Sequence, residues 1–304
     1  MKILITGSSG FIGSYLTERL TNQHDIHHLA SNLKDHKSVT EEVLSVNPDI
    51  IVHLAARTEV EKSFYEQITF SEINYVGTVN LIEAASKVKN LKNFVFASTM
   101  EVYGWQPISD EIKKHGKPQT HIAFDENTQP NPNAPYAVAK YACEKYLQYA
   151  HRCYGLPFTA LRQTNCYGRK DNDFFVTEQI ISQMLKNPKE CSLGYADPYR
   201  NFIFVEDMLD AWQTVIENPD KCNDGNIFTI GPDNPIKIKD YAELIAEKLD
   251  WQGTINWNTK LHRAGEIYWL NSNNKLITEK LGWEPKVSLD QGLDKTIELW
   301  TKKL

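Results

Sequence analysis

Residues 4–13 read Leu-Ile-Thr-Gly-Ser-Ser-Gly-Phe-Ile-Gly, and this stretch decides the fold. Its glycines, Gly7, Gly10 and Gly13, directly follow a short apolar segment that starts at the first residue. In such a turn, glycine permits a tight bend, close approach of the backbone to a pyrophosphate, and packing of a helix on a sheet. The helix that follows directs its first N–H groups at that phosphate. The turn therefore predicts a dinucleotide-binding unit at the N-terminus.

The composition is that of a globular chain. Its 304 residues, 41% hydrophobic and 24% charged, can form one large α/β domain or a domain with a smaller lobe. A formal net charge of −6 gives no reason to expect nucleic acid or an anionic membrane as a partner. No apolar run approaches the length of a membrane span. An anionic substrate stays compatible with this charge, because a local arginine cluster can act against it.

The N-terminus and the cysteines predict a cytoplasmic protein. Met1 and Lys2 lead at once into the first predicted strand, which leaves no room for a signal peptide. The five cysteines are odd in number and scattered, which favours reduced thiols over a disulfide framework. The histidine cluster His24, His27 and His28 has no matching set of cysteines or carboxylates, so we predict no metal site.

Strands and helices alternate along the first half of the chain. The apolar pattern predicts strands at 2–6, 25–30, 49–55, 93–99 and 157–163, and helices at 11–20, 39–46, 73–88 and 136–154. This order predicts an α/β fold, with a doubly wound parallel sheet of Rossmann type and a smaller C-terminal lobe.

The remainder of the chain is less regular. Helices are predicted at 174–185, 207–217, 238–249 and 289–300, with short strands at 202–205 and 227–230. Residues 105–135 contain several prolines and no clear period, which predicts a loop or lid. We expect residues 1–166 with 203–232 to form the dinucleotide-binding domain, and 167–202 with 233–304 to form the smaller lobe.

Tyr136 and Lys140 lie four residues apart in Tyr-Ala-Val-Ala-Lys, so a helix presents them on one face. A phenol with a pKa near ~10 is a poor base at neutral pH. A nearby ammonium and an oxidised nicotinamide would both favour the phenolate. Together with the glycine turn, the pair predicts a nicotinamide-dependent enzyme. The alternative for the pair is an ordinary buried aromatic beside a solvated lysine.

Further segments occur in a characteristic order. They are Gly7–Gly13, His53–Ala56, Asn74–Thr78, Ser98–Gly104, Pro135–Lys140, Leu161–Gly168, Arg200–Asp207, Arg263–Glu266 and Leu281–Pro285. In this order they resemble the extended short-chain dehydrogenase/reductase family, specifically its nucleotide-sugar epimerases and dehydratases. The resemblance runs nearly the full length of the chain and implies a nucleoside-diphosphate sugar as substrate, bound by the smaller lobe.

The resemblance implies a set of cofactor-binding residues. They are Gly7, Gly10, Phe11, Ile12, Gly13, Asn32, Leu33, Leu54, Ala55, Ala56, Asn74, Ser98, Tyr136 and Lys140. An acid at the end of the second strand normally binds the ribose diol and selects NAD, but no acid closes this strand. No arginine is available there for a 2′-phosphate either. We expect NAD as the cofactor, with NADP as the alternative.

The implied catalytic residues are Tyr136, Lys140, Thr99 and Glu101. Tyr136 would take a proton from a sugar hydroxyl, Thr99 would bond the same oxygen, and Lys140 would hold the nicotinamide ribose. Family dehydratases carry a carboxylate at the position of Glu101, which removes the C5 proton once C4 is a ketone. Glu101 therefore favours a nucleotide-hexose 4,6-dehydratase, although Met100 cannot supply the acid that one dehydratase group carries there. A locally bonded Glu101 is the structural alternative.

Thr99, Asn165, Arg200 and Arg263 are the expected substrate-binding residues, the arginines because guanidinium suits phosphate oxygens. A surface ion pair is the alternative for each arginine. Other reactions stay open: a UDP-sugar 4-epimerase first, then a nucleotide-sugar decarboxylase or 4-keto reductase, and a non-catalytic dinucleotide sensor. We also expect a homodimer, in which the helices at 73–88 and 136–154 pair with their copies.

Overall fold

The computed structural model describes residues 1–259 and 265–303. The strands are β1 (Lys2–Thr6), β2 (Asp25–His28), β3 (Ile50–His53), β4 (Asn93–Thr99), β5 (Phe158–Gln163), β6 (Asn165–Tyr167), β7 (Glu190–Ser192), β8 (Tyr199–Arg200), β9 (Phe202–Phe204), β10 (Asp224–Ile230), β11 (Ile236–Lys237) and β12 (Thr254–Asn256). The helices are α1 (Phe11–Leu20), α2 (His36–Val46), α3 (Val60–Ser63), α4 (Gln67–Ser71), α5 (Gly77–Ala85), α6 (Pro107–His115), α7 (Pro135–Tyr154), α8 (Val176–Lys186), α9 (Val205–Glu217), α10 (Pro219–Cys222), α11 (Ile238–Lys248), α12 (Lys275–Leu281) and α13 (Leu289–Thr301).

A six-stranded sheet forms the centre of the molecule. Its order is β10-β5-β4-β3-β1-β2, and every neighbouring pair is parallel. From β1 the chain moves outward to β2 and then crosses back to β3, so the strand order reverses beside β1. Doubly wound sheets bind ligands at such a reversal, beyond the carboxyl ends of the strands. The predicted fold class is confirmed.

The side chains of β1 alternate between two hydrophobic layers. Ile3 and Ile5 belong to the cluster that contains Leu16 of α1, whereas Leu4 belongs to the cluster that contains Val39 of α2. Successive side chains of a strand point to opposite faces, so the apolar run of β1 contributes to both layers. Ile3, Leu4 and Ile5 are all fully buried. The sheet is therefore covered by helices on both faces.

Two predicted segments differ from the structure. Residues 105–135, predicted as a loop, contain helix α6, which begins at Pro107 and buries Ile108 and Ile112 one turn apart. The helix predicted at 73–88 is instead a π-helical stretch, Glu72–Val76, followed by α5. The apolar spacing identified a helix in the second case, but proline obscured one in the first.

The remaining short strands pair outside the central sheet. They form β6–β9, β7–β12 and the antiparallel β8–β11. Helices α8, α11 and α13 pack in the same region, with α8 contacting both of the others. The division into two domains stays a prediction.

Exposed apolar side chains occur along the helices that we expect to pair in a homodimer. Tyr65, Ile68 and Val76 lie before and within the α4–α5 segment, and Val138 and Tyr149 lie on α7. Of these side chains, Val76, Val138 and Tyr149 lie within the helices predicted to pair, and apolar side chains exposed singly are ordinary on a protein surface. The homodimer stays a prediction. Within the described residues, none of the helices is both long and apolar enough to cross a membrane.

Candidate active site

A cavity of about 550 Å³ opens at the carboxyl ends of β1, β3, β4 and β5. It extends from the glycine turn to residues 193–202 and Glu266, and we call this far side the lobe side. The predicted site residues that line it are Gly7, Gly10, Phe11, Ile12, Gly13, Leu54, Ala56, Ser98, Thr99, Glu101, Tyr136, Lys140, Asn165 and Arg200. The fold therefore brings the glycine turn, the Tyr136–Lys140 pair and one of the two predicted arginines to a single cavity.

The glycine turn is shaped by close backbone contacts. Gly7 has a φ of +71°, and a Cβ there would lie 2.6 Å from the Ala55 nitrogen. A Cβ on Gly13 would lie 2.1 Å from the Gly7 carbonyl oxygen, so α1 packs directly on the turn. Helix α1 begins at Phe11 without a side-chain cap. An uncapped helix N-terminus beside a glycine turn, facing a cavity, fits the pyrophosphate of a dinucleotide.

His53 anchors the end of β3 beside this turn through a buried chain of hydrogen bonds. Thr78 Oγ1 donates to the Asn74 carbonyl at 2.7 Å, so it accepts from His53 Nε2 at 2.8 Å. His53 Nδ1 then accepts from Thr6 Oγ1 at 2.7 Å. Burial and the positive charge of Lys140 lower the pKa of His53 to about 3, so the ring is neutral. This chain fixes the backbone from which Leu54 and Ala56 reach the cavity.

Tyr136 is buried near the N-terminus of α7, with Thr99 and Glu101 beside it. Burial raises the pKa of the Tyr136 phenol, and the Glu101 carboxylate raises it further, whereas a hydrogen bond with Thr99 acts in the opposite direction. Thr99 also accepts the Glu101 N–H at 3.2 Å, as the cap of a 3₁₀ turn at Met100–Tyr103. Thr99 thus bonds the Glu101 backbone and acts on the pKa of the Tyr136 phenol, and all three residues line the cavity.

Lys140 differs from the expectation that its ammonium would favour the phenolate. Its Nζ donates to the Ala97 carbonyl at 2.7 Å and lies 4.8 Å from the centre of the Phe96 ring. Burial lowers the pKa of Lys140 to about 8, although Cys143 and Glu144 act to raise it. In the described contacts, Glu101 and Thr99 rather than Lys140 act on the Tyr136 phenol. Lys140 still lines the cavity, as a cofactor-binding residue requires.

A buried ion pair behind the cavity was missed by sequence reasoning. Arg162 bonds Glu144 through two contacts, Nε–Oε1 at 3.0 Å and Nη2–Oε2 at 2.8 Å. Ser98 donates to the same Glu144 carboxylate, and the Arg162 guanidinium stacks on Tyr103 at 4.9 Å. Glu144 is four residues after Lys140 and eight after Tyr136, so the helical repeat places all three on one face. This spacing was the feature of the sequence that could have identified Glu144 as a residue behind the cavity.

Two arginines on the lobe side of the cavity already have internal partners. Arg200 bonds Glu266 at 2.8 Å, and both side chains are largely buried. Arg169 lies 3.3 Å from the buried Glu178, between the rings of Phe11 and Phe175. The phosphate groups of a ligand would therefore meet guanidinium groups whose charge is partly balanced. Arg263 lies outside the described residues.

Four predicted cofactor residues are not among those that line the cavity: Asn32, Leu33, Ala55 and Asn74. Asn74 is buried, and its side chain bonds both the N–H and the carbonyl of Arg57 at 2.8 Å. Asn74 therefore holds the loop after β3 in place. Asn32 and Leu33 follow β2 at the edge of the sheet, and Leu33 packs against Gly77.

Comparisons with known proteins agree with this geometry. The model of the "NAD dependent epimerase/dehydratase family" matches residues 3–231. A putative UDP-glucose 4-epimerase of Methanocaldococcus jannaschii is 26% identical, over 99% of this chain and 98% of that protein. A dTDP-glucose 4,6-dehydratase of Escherichia coli is 28% identical, over 98% of this chain and 92% of that protein.

A solved structure is similar over the whole chain. The UDP-glucose 4-epimerase of Thermotoga maritima, solved with UDP-glucose, superposes with a TM-score of 0.86 and 27% identity, covering 100% of this chain and 99% of that one. The expected resemblance and the NAD dependence of the family are confirmed. The chain belongs to the NAD dependent epimerase/dehydratase family of nucleotide-sugar enzymes.

Proposed function

We propose that this protein is a nucleotide-hexose 4,6-dehydratase. The observation that carries the proposal is that Glu101, Tyr136 and Thr99 line one cavity, with the Glu101 carboxylate near enough to raise the pKa of the Tyr136 phenol and Thr99 bonded to the Glu101 N–H. A 4-epimerase needs one proton acceptor for the C4 hydroxyl. A dehydratase also needs a base for the C5 proton, and a carboxylate next to the phenol meets that need.

The first step is oxidation at C4. A nicotinamide bound at the glycine turn would supply the hydride acceptor for this oxidation and the hydride donor for the later reduction. Tyr136 accepts the proton of the C4 hydroxyl, and Thr99 bonds the same oxygen. Since Thr99 Oγ1 accepts the Glu101 N–H, its own proton is free to stabilise the phenolate. That bond acts to lower the pKa of Tyr136 against the effects of burial and Glu101.

The second step is loss of water across C5 and C6. The C4 ketone acidifies the C5 proton, and Glu101 removes it. Glu101, now protonated, is the acid for the departing C6 hydroxyl, because Met100 cannot donate a proton. C6 would then receive hydride, and Tyr136 would give C5 the proton that it took from the C4 hydroxyl. The net change is the loss of one water and the conversion of a hydroxymethyl group to a methyl group.

The lobe side of the cavity would bind the nucleoside diphosphate. Arg200 and Arg169 are the cationic side chains there, and Asn165 adds an amide. Each arginine can exchange its internal carboxylate, Glu266 or Glu178, for phosphate oxygens. Arg169 also stacks on Phe11 of the glycine turn, which places its charge near the cofactor end of the cavity.

A panel of UDP-, GDP-, dTDP- and CDP-hexoses tests the proposal, with products identified by mass spectrometry. The expected product has lost the mass of one water. Glu101→Gln should lower the dehydration rate by about 10²- to 10⁴-fold, the usual contribution of a general base. Glu61→Gln, which changes a second carboxylate on the same cavity, is the matched control and should lose less than about tenfold.

A UDP-sugar 4-epimerase is the second candidate. Met100 provides no acid next to Glu101, and the M. jannaschii relative carries the name of a putative 4-epimerase. In that reaction Tyr136 and Thr99 keep their roles, and the ketone turns over before the hydride returns. The product would have the mass of the substrate, and Glu101→Gln would retain most of the turnover.

A further inference from the structure

A carboxylate from helix α2 binds the backbone at the end of β2. Glu42 Oε1 accepts the Ala30 N–H at 2.7 Å, and Oε2 accepts the Ser31 N–H at 2.8 Å. Both oxygens of one carboxylate are therefore engaged by two consecutive N–H groups. This contact lies outside the main cavity and has no part in the proposed reaction.

The contact lies at the open edge of the sheet. In one common doubly wound order a further strand lies beyond the second, whereas here β2 is the edge strand. Residues 29–35 connect β2 directly to α2, so the helix begins beside the end of the strand. Two turns into α2, Glu42 reaches back to that end. No acid follows β2 directly in the sequence. Instead, Glu42 of helix α2 places a carboxylate at the end of this strand.

The position matters because the end of β2 faces the adenosine ribose of a dinucleotide bound at the glycine turn. Consecutive backbone N–H groups form a binding site for an anion, such as a 2′-phosphate. Here that site is filled by Glu42. Burial acts to raise the pKa of Glu42, but the hydrogen bonds from Ala30 and Ser31 outweigh it, and the pKa is lowered. The carboxylate is therefore charged at neutral pH.

Nearby cations do not offset this charge. Lys34 Nζ lies 3.5 Å from Glu72, and His27 Nε2 lies 3.2 Å from Asp25. Asp35 caps α2 through Ser38 and adds a further carboxylate to the same connection. Within the described residues 25–35 the basic side chains are His27, exposed His28 and Lys34, with no arginine among them.

We propose that Glu42 makes this protein selective for the cofactor without a 2′-phosphate. A 2′-phosphate would compete with the Glu42 carboxylate for the N–H groups of Ala30 and Ser31, and the two negative charges would repel each other. A free ribose diol carries no charge and can add hydrogen bonds to the carboxylate. The inference concerns cofactor binding alone and holds for a dehydratase and an epimerase alike.

Equilibrium binding of NADH and NADPH, followed by their fluorescence, tests the proposal without turnover. Wild-type protein should bind NADH at least tenfold more tightly than NADPH. Glu42→Gln removes the charge and keeps one acceptor, and it should reduce this ratio at least fivefold, mainly through tighter NADPH binding. Glu41→Gln is the matched control, because Glu41 is a neighbouring acid paired only loosely with Lys37 at 3.8 Å. In Glu41→Gln, the ratio of NADH affinity to NADPH affinity should stay within twofold of the wild-type ratio.

Two results would overturn the proposal: equal binding of both cofactors by the wild type, or an unchanged ratio in Glu42→Gln. Thermal melting of each variant checks that it is folded, and Glu42→Ala replaces Glu42→Gln if the latter is not. Calorimetry of wild-type protein with adenosine 5′-monophosphate and adenosine 2′,5′-bisphosphate isolates the adenosine end. We expect the bisphosphate to bind at least fivefold more weakly, and tighter binding of the bisphosphate would contradict the assignment of Glu42.

Discussion

The two walls of the cavity are built differently. The sheet wall carries Tyr136, Thr99 and Lys140 at the ends of strands and at the start of α7, and buried bonds behind it hold them in place. The lobe wall carries Arg169 and Arg200, whose charges are balanced by Glu178 and Glu266. Under the proposed function, the sheet wall is set before a ligand binds, whereas the arginines of the lobe wall would exchange their carboxylate partners for phosphate. This difference matches chemistry on one side and recognition on the other.

The largest expected effect comes from removing the phenol on the sheet wall. Tyr136→Phe keeps the ring and its packing but removes the group that we propose accepts the C4 hydroxyl proton. Turnover should fall by about 10³- to 10⁴-fold, at the upper end of what general bases contribute. NADH binding, measured by fluorescence titration, should change by less than about threefold. Turnover within tenfold of wild type would remove Tyr136 from the chemistry.

The next largest effect concerns the buried Glu144–Arg162 ion pair behind the sheet wall. Glu144→Gln leaves the buried Arg162 guanidinium without its counter-charge, and the free energy of unfolding should fall by about 3–5 kcal/mol. The double variant Glu144→Gln/Arg162→Met should lose less than the sum of its single variants, because it removes both charges. Urea unfolding measures all three proteins. A single-variant loss below about 1 kcal/mol would mean that the pair does not support this wall.

The neutral His53, beside the sheet wall, makes the free energy of unfolding depend on pH. Its pKa is about 3 in the folded protein against 6.5 ordinarily, so between these values the unfolded chain binds a proton that the folded chain does not. The free energy of unfolding should therefore fall as the pH is lowered from 6.5 towards 3, by up to about 1.4 kcal/mol per pH unit from this group.

Urea unfolding at several pH values checks this sign. His53→Gln should reduce the slope by about one proton. His28→Gln, the same substitution at an exposed histidine at the end of β2, is measured alongside it. Equal slopes in wild type and His53→Gln would show that His53 does not stay neutral.

The smallest expected effect lies on the lobe wall. Arg200→Met should weaken nucleotide-sugar binding by about 10- to 100-fold, the size expected for lost hydrogen bonds to a charged group. Glu266→Gln frees the same guanidinium from its partner carboxylate, so it should leave binding unchanged or tighter. Calorimetry with the accepted nucleotide sugar measures both variants. Equal weakening by the two substitutions would mean that the pair acts as a unit and does not exchange partners.

The sheet wall was also the more predictable of the two. The glycine turn, β4 and the Tyr136–Lys140 helix follow from local rules, because the strand is apolar on both faces and the helix keeps its repeat. The Glu144–Arg162 and Glu42–Ala30 contacts each join a helix to another segment of the chain, so a local pattern does not identify the partner. Lys140 lines the cavity, but its bond to the Ala97 carbonyl depends on how deeply α7 packs on β4.

The lobe wall was harder to predict because its side chains pair across irregular segments. Arg200 was identified from its motif, whereas its bond to Glu266 depends on β8 meeting a distant part of the chain. Arg169 belongs to the irregular segment that follows β6. Its place between Phe11 and Phe175 arises only when the loop after β6 folds against the glycine turn.

The central claim is that Glu101 and Tyr136 together convert a sugar hydroxymethyl group to a methyl group. The most direct test follows deuterium from C4 of a nucleoside-diphosphate hexose that the panel shows to be accepted. We predict a product lighter by one water that carries the deuterium on C6. A product of unchanged mass with the deuterium still on C4 would contradict the claim and identify an epimerase.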